Sequence, residues 1–425
     1  MFIMVPCVAA VLAAYGLAPQ RADTVGIDLG TTYSVVAYKH PTTKKIIMVP
    51  AYDHSTSSSS LSSSTSASAS TSHLLTPSIV SYGNDYSSAK EAVHVGREAL
   101  PFLHTRPKNT IYNAKRLIGR TFKDVSEDVS LSTMPHDFGP VDNAGDTSTA
   151  AEASESSSMA GFVLSHGITV SPVDVAANVI RTLINSVDHF LGHSNARKAV
   201  IAVPAQFNTA QREATAAAFI KVGIKVINML EEPTAAAIAY GLQNEPHIHN
   251  VLVYDFGGGT LDVSLLWMAT GSVQVTGTDG DSNLGGSDFD KCMVELLAAT
   301  LDRCEISKTR KIAEEIKRKL STEQSTIAAC GDDIHLSSLQ KMTVTRSLFE
   351  QQCDPLFQRA LIPVQRLLDD HNMLRDEIDE VVLVGGSTRI PKIREMLTKY
   401  FNGHAPKSDI DPDLAVAYGA AMFSA

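Results

Sequence analysis

A short glycine turn flanked by extended apolar segments occurs twice in this chain, far apart, and each copy carries an aspartate just before the turn. The first copy, Val25-Gly-Ile-Asp-Leu-Gly-Thr-Thr32, runs into the alternating stretch Tyr33 to Tyr38. The second, Val251-Leu-Val-Tyr-Asp-Phe-Gly-Gly-Gly-Thr260, runs into Leu261 to Met268 in the same style. Each reads as strand, tight turn, strand, and so predicts a β-hairpin. A second pair echoes as well. Ala199-Val-Ile-Ala-Val-Pro-Ala205 precedes a helical run from Thr209 to Val222, and Asp379-Glu-Val-Val-Leu-Val-Gly-Gly-Ser387 precedes one from Pro391 to Phe401. Near-continuous Val, Ile and Leu strands belong to sheets covered on both faces. A chain of 425 residues, 44% hydrophobic, is also too long for one compact core. The duplication therefore predicts an α/β protein of two lobes, with a cleft between them suited to a ligand.

Several function classes drop out on composition. With 36 basic against 46 acidic residues, a net charge of −10 and no Lys/Arg run, nucleic acid and anionic membrane are poor partners. Cys7, Cys292, Cys304, Cys330 and Cys353 form no Cys-x-x-Cys and no zinc spacing, and are expected to be separate core thiols. The fourteen histidines form no cluster. From Phe2 to Leu17 the chain is almost wholly apolar, and small and polar residues follow to Ala22. That run is short for a membrane span and suits a secretory signal segment over residues 1–22, although no Lys or Arg precedes Arg21. The expected location is the endoplasmic reticulum or another secretory-pathway lumen, with the cytoplasm as the alternative. No stable membrane span is expected. Met422 to Ala425 carries no retention signal of the Lys-Asp-Glu-Leu type. Residues 55–72 and 141–158 are nearly all small and polar, and are expected to be disordered insertions in surface loops.

The paired hairpins carry the chemistry. A glycine turn exposes backbone N–H groups that can cradle phosphate oxygens, and Thr31, Thr32 and Thr260 add hydroxyl donors there. Asp28 and Asp255 would bring carboxylates to a phosphate tail, where Mg²⁺ keeps several of its waters. Two such turns facing each other could clamp a triphosphate from both sides. There is no Gly-x-x-x-x-Gly-Lys-Ser/Thr and no Gly-x-Gly-x-x-Gly, so the site is of the two-hairpin kind rather than a P-loop.

Six segments, in order, resemble the nucleotide-binding domain of DnaK-type heat-shock chaperones: Gly26 to Ser34, Asn113 to Arg120, Glu232 to Gly241, Asp255 to Ser264, Leu284 to Asp290, and Val384 to Pro391. The resemblance runs from about Val25 to the end of the chain, outside the Ser-rich insertions. It implies a two-lobed actin-like, hexokinase-like ATPase fold with duplicated ribonuclease-H-like cores. Lobe I would occupy 23–248 and lobe II 249–404, with 405–425 returning to lobe I. It further implies ATP/ADP and Mg²⁺ as cofactors, the metal held by Asp28 and Asp255. Lys115, Glu232, Asp255 and Asp262 would be the catalytic residues, Lys115 orienting the attacking water and neutralising charge. Gly30, Thr31, Thr32, Tyr33, Gly257, Gly258, Gly259 and Thr260 would hold the phosphates. The adenosine would lie among Gly285, Gly286, Glu314, Lys317, Arg318, Ser321, Gly385, Gly386, Ser387, Arg389 and Asp413. Glu314, Lys317, Arg318 and Ser321 fall at i, i+3, i+4 and i+7, which places them on one helix face.

The chain also departs from the family pattern. It stops shortly after Asp413 to Ala420, without the apolar linker, β-rich peptide-binding domain or helical lid, and in that layout is most similar to the truncated microsomal relative that has only the ATPase core. Asn228 stands where most of the family has arginine, and Glu231 replaces the usual asparagine, which argues against coupling to J-domain partners. Pro204 and Arg212 match family relay positions. Between Glu305 and Glu314 the chain is shorter than the family pattern. The resulting expectation is a slow ATP hydrolase of the secretory pathway, acting in protein folding or quality control with a co-chaperone or nucleotide-exchange partner. The other reading is a nucleotide-gated binding module whose turnover is dispensable. A small-molecule kinase would need a sugar pocket for which the sequence offers nothing.

Overall fold

The computed structural model describes residues 22–52, 71–83, 93–128, 131, 134–141, 158–269, 271–298, 301, 304, 306–330 and 340–424. The expected signal segment up to residue 21, with Cys7, and most of both Ser-rich insertions (55–70 and 142–157) lie outside the described residues.

In the first half, strands β1 (Thr24–Leu29) and β2 (Tyr33–Lys39) form the first hairpin, with Asp28 opposite Val35. Strands β3 (Ile46–Met48) and β4 (Thr76–Pro77) both pair antiparallel with β2. Helix α1 (Pro172–Leu191) begins where the Ser171 hydroxyl accepts the N–H groups of Val173 and Asp174, with Pro172 in the first turn. It ends at Gly192 in the left-handed conformation, φ 69°. Then come β5 (Lys198–Val203), α2 (Thr209–Lys221), β6 (Lys225–Glu231) and α3 (Glu232–Ala239). β5 lies parallel to β1, and β6 parallel to β5.

The second half repeats the plan. Strands β7 (Asn250–Phe256) and β8 (Leu261–Ala269) form the second hairpin, and β9 (Ser272–Asp281) adds to β8. Helices α4 (Gly286–Ala298) and α5 (Ile306–Leu320) lead to a separate ribbon of β10 (Ser325–Cys330) and β11 (Gln340–Thr345). Helices α6 (Arg346–Gln352) and α7 (Asp354–Asp370) follow. β12 (Glu380–Val384) then returns parallel to β7, before α8 (Pro391–Tyr400) and α9 (Ala415–Phe423). Across the first sheet the order is β6-β5-β1-β2-β3; across the second it is β9-β8-β7-β12. In both, the hairpin strand that carries the aspartate lies next to the parallel strand that returns after a crossover, as the internal echo predicts. Among the described residues no helix is long and apolar enough to cross a membrane.

Among the described residues three large apolar clusters hold these layers, beside a small fourth of Val35, Leu75 and Ala417. One fills the first half around Ile27, Val36, Phe162, Ile180 and Phe219, and a second fills the other half around Tyr254, Phe289, Phe357 and Leu383. The third joins the remaining faces of both sheets: Val200 and Ala202 from the first, Val253, Leu266 and Val384 from the second, with α3 and α9 between. These two helices cross so closely that a Cβ at Gly419 would lie 1.8 Å from the Ala235 carbonyl oxygen, so only glycine fits there.

Two expectations fail. Four of the cysteines are paired rather than separate: Cys292 with Cys353, and Cys304 with Cys330. Sequence separations of 61 and 26 hid these pairs. The fold reveals them by setting α4 against the junction of α6 and α7, and the start of α5 beside β10. Ser321 is also not on the helix face assigned to it, because α5 ends at Leu320 and the chain turns there.

Candidate functional site

The ends of β1 and β7 bring Asp28 and Asp255 to the cleft. In the β7–β8 ladder Asp255 stands directly opposite Asp262, so both carboxylates leave the same face of the sheet. Facing them is Lys115, in a tight turn (Ala114–Arg116) that follows Asn113 at φ 58°. Its ammonium pairs with the carboxylate of Glu232, the first residue of α3, and the two side chains are only 12% and 15% exposed.

Four carboxylates therefore share one ammonium in a poorly hydrated place. Burial raises Asp28 to about 7; Lys115 pulls it down, and Glu232 and Asp413 push it further up. Burial also lifts Asp255 well above the usual carboxylate range, reinforced by Glu232, Asp262 and Asp28. Asp262 rises through burial and Glu232, against hydrogen bonds from Gln206 and Thr260. Lys115 is held above its ordinary value because Glu232 and Asp28 outweigh the burial that would lower it. Uncompensated hard oxygen donors of this kind fit a divalent cation that retains water. Asp28 and Asp255, at the ends of β1 and β7, are the two of these that would hold it. Among the described residues no three His, Cys, Asp or Glu side chains converge as a metal cluster.

The turns themselves meet. A Cβ at Gly258 would lie 2.8 Å from the Thr32 hydroxyl, and one at Gly285 would lie 2.4 Å from Gly259, so bare backbone lines this part of the cleft. Gly257 N–H bonds the Thr260 carbonyl at 3.0 Å and closes the second turn, while Gly30 folds over the Tyr33 carbonyl in the first. Thr31 lies with Gly30 and Lys115 around a small cavity behind the first turn. Gly286 N–H and the Ser387 hydroxyl both donate to the Gly257 carbonyl, at 3.1 and 2.8 Å. Lys317 bonds the Gly286 carbonyl at 2.8 Å and pairs with Asp290 at 2.7 Å. Tyr33 lies within the fields of Glu314, Arg318 and Asp413, and burial raises its hydroxyl. Gly385, at φ 81°, lies against Asp255; Gly386 lies against Asp413, which pairs with Arg389 at 2.9 Å. From just beyond the helix, the Ser321 hydroxyl donates to the Lys317 carbonyl at 3.4 Å and its N–H to the Arg318 carbonyl at 3.2 Å.

Some residues at the site escaped the sequence. Gln206 donates its amide to Asp262 at 2.7 Å, reaching from the first half to the second. Arg116 donates across the same cleft to the Ser282 carbonyl at 2.7 Å. Asp411 pairs with Arg389 beside Asp413. Asp290 and Arg116 stand in segments named above, Leu284 to Asp290 and Asn113 to Arg120, and could have been named; Gln206 and Asp411 carry no local pattern. Of the two departures, Glu231 pairs with the relay residue Arg212 at 3.0 Å, while Asn228 is exposed and accepts the Met229 N–H at 2.7 Å.

The model of the Hsp70 family, described as Hsp70 protein, matches residues 24–425. Members of that family are chaperones that bind and hydrolyse ATP, work with co-chaperones, and have an actin-like two-lobed ATPase domain. The matched span begins at the first strand of the first sheet and runs through α9, and the chain belongs to the Hsp70 family.

Proposed function

We propose that this chain is a slow, Mg²⁺-dependent ATP hydrolase that serves protein folding or quality control in the secretory pathway. The observation that carries the chemistry is the Lys115–Glu232 pair, set among Asp28, Asp255 and Asp262 between two bare-backbone turns. Asp28 and Asp255 would hold the hydrated cation, which neutralises charge on the phosphates. Lys115 would orient the attacking water and stabilise the charge developing on the transferred phosphoryl group. Low turnover is consistent with Glu232 being engaged by Lys115. A secretory location is supported by the apolar run from Phe2 to Leu17 and by two disulfides, which persist in oxidising compartments. Weak J-domain coupling is supported by the neutral Asn228 on the edge strand β6 and by Glu231 engaging Arg212.

Single-turnover hydrolysis by residues 22–425, wild type beside Lys115→Ala, tests the chemistry. The variant is expected to bind ATP and lose a factor of about 10²–10³ in rate. A wild type that binds ATP and never cleaves it would leave a nucleotide-gated binding module instead.

A further inference from the structure

The first Ser-rich stretch is not disordered to its end as expected: Thr71 and Ser72 open an ordered segment, Thr71 to Pro77, that links Asp411 to the first hairpin. Its far end is β4, where Pro77 pairs with Tyr33 and Thr76 with Ser34. Its middle is pinned three ways. Leu75 is buried with Val35 and Ala417, the His73 carbonyl accepts the Ala51 N–H at 2.9 Å, and Arg97 donates to the Ser72 and Leu75 carbonyls. Its near end is Thr71, whose hydroxyl donates to Asp411 Oδ2 at 2.6 Å. The other oxygen of Asp411 accepts both the Arg389 guanidinium and the Asp413 N–H, the latter at 3.0 Å.

A carboxylate that turns about its Cβ–Cγ bond carries its guanidinium partner with it. The Asp413 N–H and the Thr71 hydroxyl engage different oxygens of Asp411, and together they leave one rotation for that group. Without the hydroxyl, Asp411 can turn away, and Arg389 then keeps its contacts to Asp413, at 2.9 and 3.3 Å, but loses the second carboxylate that fixes its plane. We infer that Thr71 is a positioning residue for the adenosine pocket, acting through Asp411 on Arg389. This rests on the reading of the cleft as an ATP site.

Because Thr71 acts at the base end, it changes affinity for ATP and ADP and not for a ligand that has only phosphates. Calorimetric titration of residues 22–425 with ATP, ADP and inorganic tripolyphosphate, each with Mg²⁺, tests this on Thr71→Val and Thr71→Ser. Thr71→Val is expected to weaken ATP and ADP about three- to tenfold, the size of one net hydrogen bond in a part-buried place. It should raise KM with kcat unchanged and leave tripolyphosphate binding as in the wild type. Thr71→Ser, which keeps the hydroxyl, should restore wild-type affinity. Thr71→Val binding ATP as the wild type does would overturn the proposal, and so would an equal loss for tripolyphosphate. A wild type that binds no ATP would overturn the ATP reading, and this proposal with it.

Discussion

The two glycine hairpins share a topology and differ in what surrounds them. The first carries Asp28 and faces Lys115, a cation from its own half of the chain. The second carries Asp255 and, across the ladder, Asp262, yet the groups that meet these carboxylates, Lys115 and Gln206, come from the first half. One side supplies paired negative charge and the other supplies the ammonium and the amide that relieve it. Duplication gave two equal frames; side chains then made one side the donor and the other the acceptor, so the site is complete only when the lobes meet. The halves differ covalently as well, because both disulfides among the described residues lie in the second.

The covalent difference yields the largest expected effect. Cys292→Ser with Cys353→Ser opens a bridge between residues 61 apart, which on chain entropy costs about 4 kcal/mol. Urea unfolding followed separately in the two halves should show the second half melting earlier while the first keeps its midpoint. Equal shifts in both would mean that the shared core makes them one cooperative unit.

The charge difference comes next. Asp255→Asn and Asp28→Asn should both weaken Mg²⁺–ATP binding, about ten- to a hundredfold. Burial raises both carboxylates, so either neutral amide should raise the melting temperature of the nucleotide-free protein. Asp255→Asn should raise it more, because Lys115 offsets part of the burial of Asp28. A larger rise in Asp28→Asn would erase the proposed division of roles.

The smallest effect is on pH. Asp28 titrates near 7 when folded and near 3.8 otherwise, so the folded state holds its proton more tightly between those values. That stabilisation is fully present below about pH 4 and is lost as pH rises through about 7; Asp255 and Asp262, also raised, act in the same direction. Without Mg²⁺ and nucleotide, the melting temperature should fall by a few degrees, roughly 2–4 °C per kcal/mol, between pH 5 and pH 8. Adding both should remove the slope. A melting temperature that climbs across that range would show that the carboxylates are not held protonated.

The frame was largely legible in the sequence because its signals are local. Glycine turns, period-two alternation and the apolar run of β5 mark the strands, and the echo between halves gives the repeated plan of hairpin and crossover. The site was legible only through resemblance. Nothing in the neighbourhood of Lys115 points to Glu232, 117 residues away, and on its own each is an ordinary surface-type residue. Gln206 and Asp411 escaped for the same reason: each acts across the cleft, and its partner is set by how the lobes dock. Ser321 shows the opposite failure, where helical spacing was carried one residue beyond the last turn of α5.

The close crossing of α3 and α9 at Gly419 has a consequence for how such a chain is made. On a ribosome, the strands that bear the first hairpin emerge long before α9, the helix that covers their inner face. Until residues 415–423 are out, Val200, Ala202 and Ala236 have no lid, and an apolar face of the sheet stays open to solvent and to other nascent chains. A protein whose relatives guard unfinished polypeptides is thus, for most of its own synthesis, an unfinished polypeptide with the same need.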